Sequence, residues 1–496
     1  MKKKLTFFIT LFALLSAVSI NSFAAEISAD VTGISDFFSS LVACPPALAV
    51  LIISAVLIIL TLIFRKKLVS KLNDSTASQM LNAFIVFFSV FGIACFAMAL
   101  ATDGETWKHL LNGTDSLDEE YTQFSHYLKT LQNAGSQRFY KSADTHSPFS
   151  LLLFYLLAQF MPTDAIFSES YVKYLSMLRN QTFIYLYLIL VLFCVVCIYR
   201  MSRSQLRHNG LKMRDELVAF LMVVSYPTMY CISMGNIAGV ALALCFYFLE
   251  FHNSEKKIYR EIAIVAIAIS AAIVPYTFVF AFLLLKDKSK MSKLNFAQAS
   301  VFFVLLFVLP ATFTGFGNML TYVKSLLLIN GDFVPGNGSL ANLLSITGVH
   351  TAVLYIITAV TEVLAFLCIF ILPSTWQKTA AAVYCILNLL PNANSLTMLF
   401  VFIPLVYLLT EKTHKAVDWL YLLSFSLLIT PFPEWFYSYA NEMQILFESI
   451  GIVNIQNANE IIAPIATQMI FVLIICQGIS ALKEKKNKKV IEQVAV

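Results

Sequence analysis

The chain has 496 residues, 59% of them hydrophobic and 13% charged, with a formal net charge of +5. Soluble domains run near 45–50% apolar and about 25% charged, so a soluble enzyme is excluded. The Lys and Arg residues gather in short loops beside long apolar runs, which is the positive-inside pattern of a membrane protein and argues against a nucleic-acid partner.

The apolar runs are continuous stretches of about 18–22 residues, so the fold class is an all-α polytopic membrane protein rather than a barrel of alternating strands. Residues 1–25 read as a signal segment. Lys2, Lys3 and Lys4 form its basic start, 5–20 its apolar stretch, and Ser22-Phe23-Ala24-Ala25 a small-residue cleavage region. It is either removed or kept as a first span. Residues 26–101 hold two leading membrane helices, over 46–64 and 80–101. Arg65-Lys66-Lys67 marks the intervening loop as cytoplasmic, which makes 102–181 an extracytoplasmic loop. Within that loop the apolar stretch 149–160 is too short to cross and reads as a re-entrant helix.

The transmembrane bundle occupies 182–482. Spans at 182–199, 215–233 and 236–252 come first, with a tight external turn at Met234-Gly235-Asn236. The segment 262–285 is flanked by basic loops on both sides and interrupted at Pro275, so it enters and leaves on one face. A span at 296–318 leads to a second external loop over 321–349. Further spans follow at 351–372, 378–391, 397–410, 416–432 and 461–482, and a basic cytoplasmic tail at 483–496 ends the chain. The alternation gives about eleven crossings. The nine cysteines lie mostly within apolar runs, and Cys194 and Cys197 read as small buried hydrophobes rather than a redox or metal pair.

The loop 102–181 concentrates the polar chemistry. Asp115, Asp118, Glu119 and Glu120 cluster beside Tyr121. This is either a solvated acidic surface or the source of a general base that takes the proton of an attacking sugar hydroxyl. In that second reading Asp118 and Glu120 are the catalytic candidates. Transfer from a lipid-phosphate sugar also needs cations at the departing phosphate; Arg138 with Lys141 form the preferred pair, the alternative being that they solubilise the loop or touch lipid headgroups. Glu362 falls inside a span, where an acid is either a functional candidate or a protonated side chain held against a neighbouring helix. His146-Ser147-Pro148 reads as a helix cap and start.

The order of these pieces resembles the first external loop of glycosyltransferase-C enzymes. The pattern is an acidic group before a Tyr, a Gly some fifteen residues on, then Ser-Pro opening an apolar helix. It is most similar to the bacterial polyprenol-phosphate-mannose-dependent mannosyltransferases. Asp118-Glu119-Glu120-Tyr121 also looks like the Asp-x-Asp-Tyr motif of the transferase that adds the first mannose in GPI-anchor synthesis. Gly235-Asn236 resembles the family's Gly-Gln/Asn segment, and Asn337-Gly338-Ser339-Leu340 its Asn-x-Ser-Leu segment. Pro391-Asn392-Ala393-Asn394-Ser395 stands at its polar break before a late span. Two positions depart: Val274 stands where the family often has Lys before Pro, and Glu120 where it has Asp.

The resemblance implies a GT-C-like fold and an inverting transfer of a mannose-like hexose. The donor would be a polyprenyl-phosphate-linked sugar and the acceptor a glycolipid or polysaccharide, outside a bacterial cell membrane. It adds Tyr121, Asn236, Asn337 and Ser339 as substrate-binding candidates. The chemistry calls for no cofactor, with a divalent metal left open; membrane lipid is the remaining partner. The alternatives are a surface-polysaccharide polymerase or ligase, which relies on external Arg residues, and a lipid or polysaccharide transporter, which needs a polar path through several spans.

Overall fold

The computed structural model describes residues 79–86, 88, 125–137, 146–161, 180–208, 210, 215–286, 290–326, 339–340, 351–389, 396–430 and 459–494. All of them belong to one compact unit, Phe64–Glu434 with Asn457–Val496. The second unit, Met1–Ile63 with Trp435–Gln456, lies outside the described residues, and the expected signal segment lies with it. The described residues contain helices and no β-strand.

In the polar segment, α1 (Ser125–Gly135) and α2 (Pro148–Ala158) form a packed pair. The apolar stretch expected at 149–160 is α2. Ser147 caps it by accepting the Ser150 N–H at 3.2 Å, and Pro148 fills the first helical position, where no N–H is needed. Asn180 opens α3 (Gln181–His208) in the same way, its Oδ1 accepting from Thr182 N at 2.9 Å and Phe183 N at 3.3 Å. This helix runs well past the expected end near 199. Arg207 and His208 in its last turn suit the negative end of the helix dipole, so the basic loop is partly helix.

The expected span 215–233 is two helices, α4 (Asp215–Val223) and α5 (Tyr226–Ser233), bent by 51°. Pro227 has no N–H to continue the ladder, and the hydroxyls of Ser225 and Thr228 both donate to Met222 O at 2.7 Å. The chain turns at Gly235, whose φ of +60° suits glycine, into α6 (Ala238–Phe251). Next, α7 (Lys257–Ile273) packs closely on α6 through small residues, and Ser270 Oγ donates to Ala241 O at 2.9 Å. The break foreseen at Pro275 is present: α7 ends at Ile273, and a 3₁₀ segment, Pro275–Lys286, follows.

The remaining helices are α8 (Lys290–Val308), α9 (Ala311–Thr314), α10 (Phe316–Leu326), α11 (Thr351–Ile371) and α12 (Thr375–Leu389). A short 3₁₀ turn, Thr397–Val401, then runs into α13 (Phe402–Leu409), followed by α14 (Ala416–Ile429) and α15 (Asn459–Val494). The centre is formed by α12 and α13, where Ala380 to Leu387 and Leu399 to Leu409 are nearly all buried. Exposed apolar side chains such as Leu188, Ile189 and Leu192 on α3, Val301 and Val304 on α8, and Ile356 and Val360 on α11 form an outer belt. Such a belt is what lipid tails would cover. By length and composition four helices among the described residues can cross a membrane, or five with the bent pair taken as one; five further apolar helices are shorter.

Candidate active site: a loop helix seated on a broken bundle helix

The break in α7 is where the polar segment meets the bundle. A helix ended by proline leaves carbonyls that the next turn does not satisfy. Thr277 N turns back to Val274 O at 3.0 Å in a 3₁₀ step, so Ala272 and Ile273 need other donors. They come from α2: Ser147 Oγ donates to Ala272 O, and Ser150 Oγ donates to Ile273 O at 3.2 Å. The two hydroxyls also lie 2.9 Å from each other, and both serines are buried. One pair of residues therefore caps its own helix and closes the end of another more than a hundred positions away.

Next to this clasp, Tyr127 of α1 is fully buried among Phe154 of α2 (ring centroids 6.0 Å apart) and Phe183 and Tyr187 of α3 (both 5.6 Å). Its Oη has no hydrogen-bond partner among the described residues, and burial pushes its hydroxyl pKa up. Tyr127 lies directly on Gly235: a Cβ there would stand 2.5 Å from Tyr127 Cβ. Close approach, as well as the positive φ, therefore requires glycine at 235. The neighbouring Asn236 uses Oδ1 to accept from Ala238 N at 2.8 Å, which fixes the start of α6.

His146 sits at the same junction, 5.1 Å ring to ring from Phe154 and 6% exposed. Burial lowers its pKa to about 4, so the ring is neutral near pH 7. Across the break, Tyr276 meets Phe400 of the turn before α13 edge-on at 6.3 Å. Val274 is buried at the break and brings no charge to it.

Thus His146-Ser147-Pro148, Gly235-Asn236 and Val274-Pro275-Tyr276, separate in sequence, are drawn to one region. Ser339 is fully buried and its neighbour Leu340 donates its N–H to Asn388 Oδ1 at 3.0 Å, against α12. Asp118, Glu120, Tyr121, Arg138, Lys141 and Asn337 lie outside the described residues. The anchoring role of Tyr127, the second role of Ser147 and Ser150, and Asn388 itself were not foreseen. The spacing Ser-Pro-x-Ser, opposite a proline-broken helix, is the signal that could have indicated the clasp. Cys194 and Cys197 are free thiols, and no group of three or more His, Cys, Asp or Glu able to hold a metal occurs among the described residues.

A bundle of apolar helices, several long enough to cross a membrane and carrying an exposed apolar belt, defines a membrane protein. The family model for glycosyltransferase family 87 matches residues 145–406, which takes in the clasp, the Gly235 turn, the α7 break and the Ser339 segment. That is more than half of the chain, and the protein belongs to this GT-C-type family of membrane glycosyltransferases. The acidic group at 118–120 precedes the matched region. No curated protein and no solved structure matches the chain.

Proposed function

We propose that this glycosyltransferase moves a mannose-like hexose from a polyprenyl-phosphate donor to a glycolipid or polysaccharide acceptor on the extracytoplasmic side of a cell membrane that it crosses about eleven times. The observation that carries this reading is that the family match and the seating of α2 on the α7 break fall on the same residues. In the proposed reaction an acceptor hydroxyl attacks the anomeric carbon, and the bond from that carbon to the phosphate oxygen breaks. Polyprenyl phosphate departs with the bonding electrons, and the hydroxyl proton passes to a carboxylate. Glu120 is the favoured base and Asp118 the other candidate, giving inversion in one displacement. Arg138 and Lys141 would receive the departing phosphate.

Tyr121 and Asn337 would line the sugar site, with Ser339 buried behind them where its segment meets α12. Asn236 spends its Oδ1 on α6, so the amide N–H groups are what it offers a ligand. The loop 102–181 would be the catalytic loop, with α2 as its re-entrant element.

The test is transfer of labelled mannose from polyprenyl phosphate into membrane lipid or polysaccharide, at matched amounts of folded protein. A positioned base contributes about 10²–10⁴-fold, so Glu120→Gln or Asp118→Asn should lose turnover on that scale while Glu119→Gln keeps it. Near-normal turnover in both of the first two variants would make the acidic group a solvated surface.

A further inference from the structure

The buried polar cluster between α11 and α12 has no part in the chemistry above. Asn388, near the end of α12, is 1% exposed and makes bonds in two directions. Its Oδ1 accepts the Leu340 N–H at 3.0 Å, while its Nδ2 donates to Glu362 Oε1 at 3.0 Å and to Thr361 Oγ1 at 3.2 Å, both on α11. The Leu340 N–H can only donate, so the amide has one workable orientation, its oxygen toward Leu340 and its NH₂ toward Glu362 Oε1 and Thr361 Oγ1. Turned over, it would face the Leu340 N–H with its own NH₂, donor against donor. The acid is also far from the start of its helix: from Thr351 to Glu362 is roughly 16 Å of rise. The Ser339–Leu340 segment is therefore joined, through Asn388, to the middle of α11 rather than to its end. One turn before Asn388, Tyr384 Oη donates to Gln468 Oε1 at 3.4 Å, tying α12 to α15.

We infer that Asn388 is a positioning residue that seats the Ser339–Leu340 segment against the bundle, and that Glu362 sets the orientation in which it does so. The inference rests on the reading above that this segment borders the sugar site. It assigns Glu362 neither proton transfer nor substrate contact: the acid acts through the amide, and the amide through one backbone N–H.

The experiment combines hydrogen exchange by mass spectrometry at the peptide containing Leu340 with transfer kinetics, on the full chain in lipid nanodiscs. Asn388→Leu and Glu362→Leu should each speed exchange of that amide by about three- to tenfold, the loss of one buried hydrogen bond. Both should lower kcat for sugar transfer by about tenfold or more, with a smaller change in donor KM, because a displaced loop misaligns reactants. Glu362→Gln, which still offers an acceptor oxygen to Asn388, should restore most of the protection. Unchanged exchange at Leu340 in both leucine variants would overturn the seating, and faster exchange with unchanged kcat would overturn the positioning role. If Asn388→Leu does not fold, the contrast between Glu362→Leu and Glu362→Gln decides the matter. A wild-type chain that transfers from no polyprenyl-phosphate sugar would instead remove the proposed function, while the exchange arm still decides the seating.

Discussion

At its Phe183 end, α3 packs its rings around Tyr127 and donates a hydrogen bond from Tyr187 Oη to Ile232 O at 2.7 Å. At its other end the same helix is held by charge: Arg203 and Arg207 both reach Asp215, and Arg203 also reaches Glu216. The face that α3 turns to Tyr127 at the first end is neutral and fitted by shape, with Phe183 and Tyr127 both buried. The second is partly wet, with the Arg207 and Glu216 side chains 53% and 63% exposed. Packing of rings on a glycine backbone fails with a single added carbon, whereas the buried Asp215 is shared by two arginines, so that loss of the more exposed Arg207 still leaves Arg203 in place. The Phe183 end, which borders the proposed catalytic loop, is built from the less forgiving kind of contact.

The largest expected effect comes from Gly235→Ala. The new Cβ would stand 2.5 Å from Tyr127 Cβ at a φ of +60°. Overpacking and left-handed strain together should cost roughly 2–5 kcal/mol, read as a fall in the thermal midpoint of the purified protein. A midpoint equal to wild type would mean that α1 does not rest on this turn.

A smaller effect, of definite sign, belongs to His146. Its folded pKa of about 4 lies below the ordinary 6.5, so the unfolded chain binds the proton first as pH falls. The contribution of the neutral ring to stability is complete above pH 6.5, declines between 6.5 and 4, and is lost below 4. The difference amounts to about 3 kcal/mol. Unfolding measured across that window should show a slope that His146→Phe removes; an unchanged slope would place the titration elsewhere. At the other end of α3, Arg207→Gln should cost about 1 kcal/mol or less, and the cost should shrink further in high salt.

The parts of this arrangement legible in the sequence were the local ones. Ser147-Pro148 announced a helix start, Pro275 a helix end and Gly235 a turn, because caps, missing N–H groups and left-handed backbone are properties of a few adjacent residues. The bend at Ser225 was equally local and signalled by Pro227, yet the apolar run concealed it. The convergence was not legible. Nothing near Ser150 states that its hydroxyl will complete Ile273, and nothing near Asn388 states that it will meet both Leu340 and Glu362. Such pairings follow from how the helices pack, which hydrophobic periodicity leaves open when nearly every face is apolar. The acidic candidates at 118 and 120 rest on residue chemistry and resemblance alone.

The central claim is that seating α2 on the break in α7 serves glycosyl transfer, while the charged end of α3 serves only stability. The direct measurement compares kcat/KM for sugar transfer in Ser147→Ala/Ser150→Ala with that in Arg207→Gln, at equal amounts of folded protein. The account predicts a loss of about tenfold or more for the serine variant, through misplacement of the loop, and a change within about twofold for the arginine variant. Equal losses, or a serine variant as active as wild type, would contradict it.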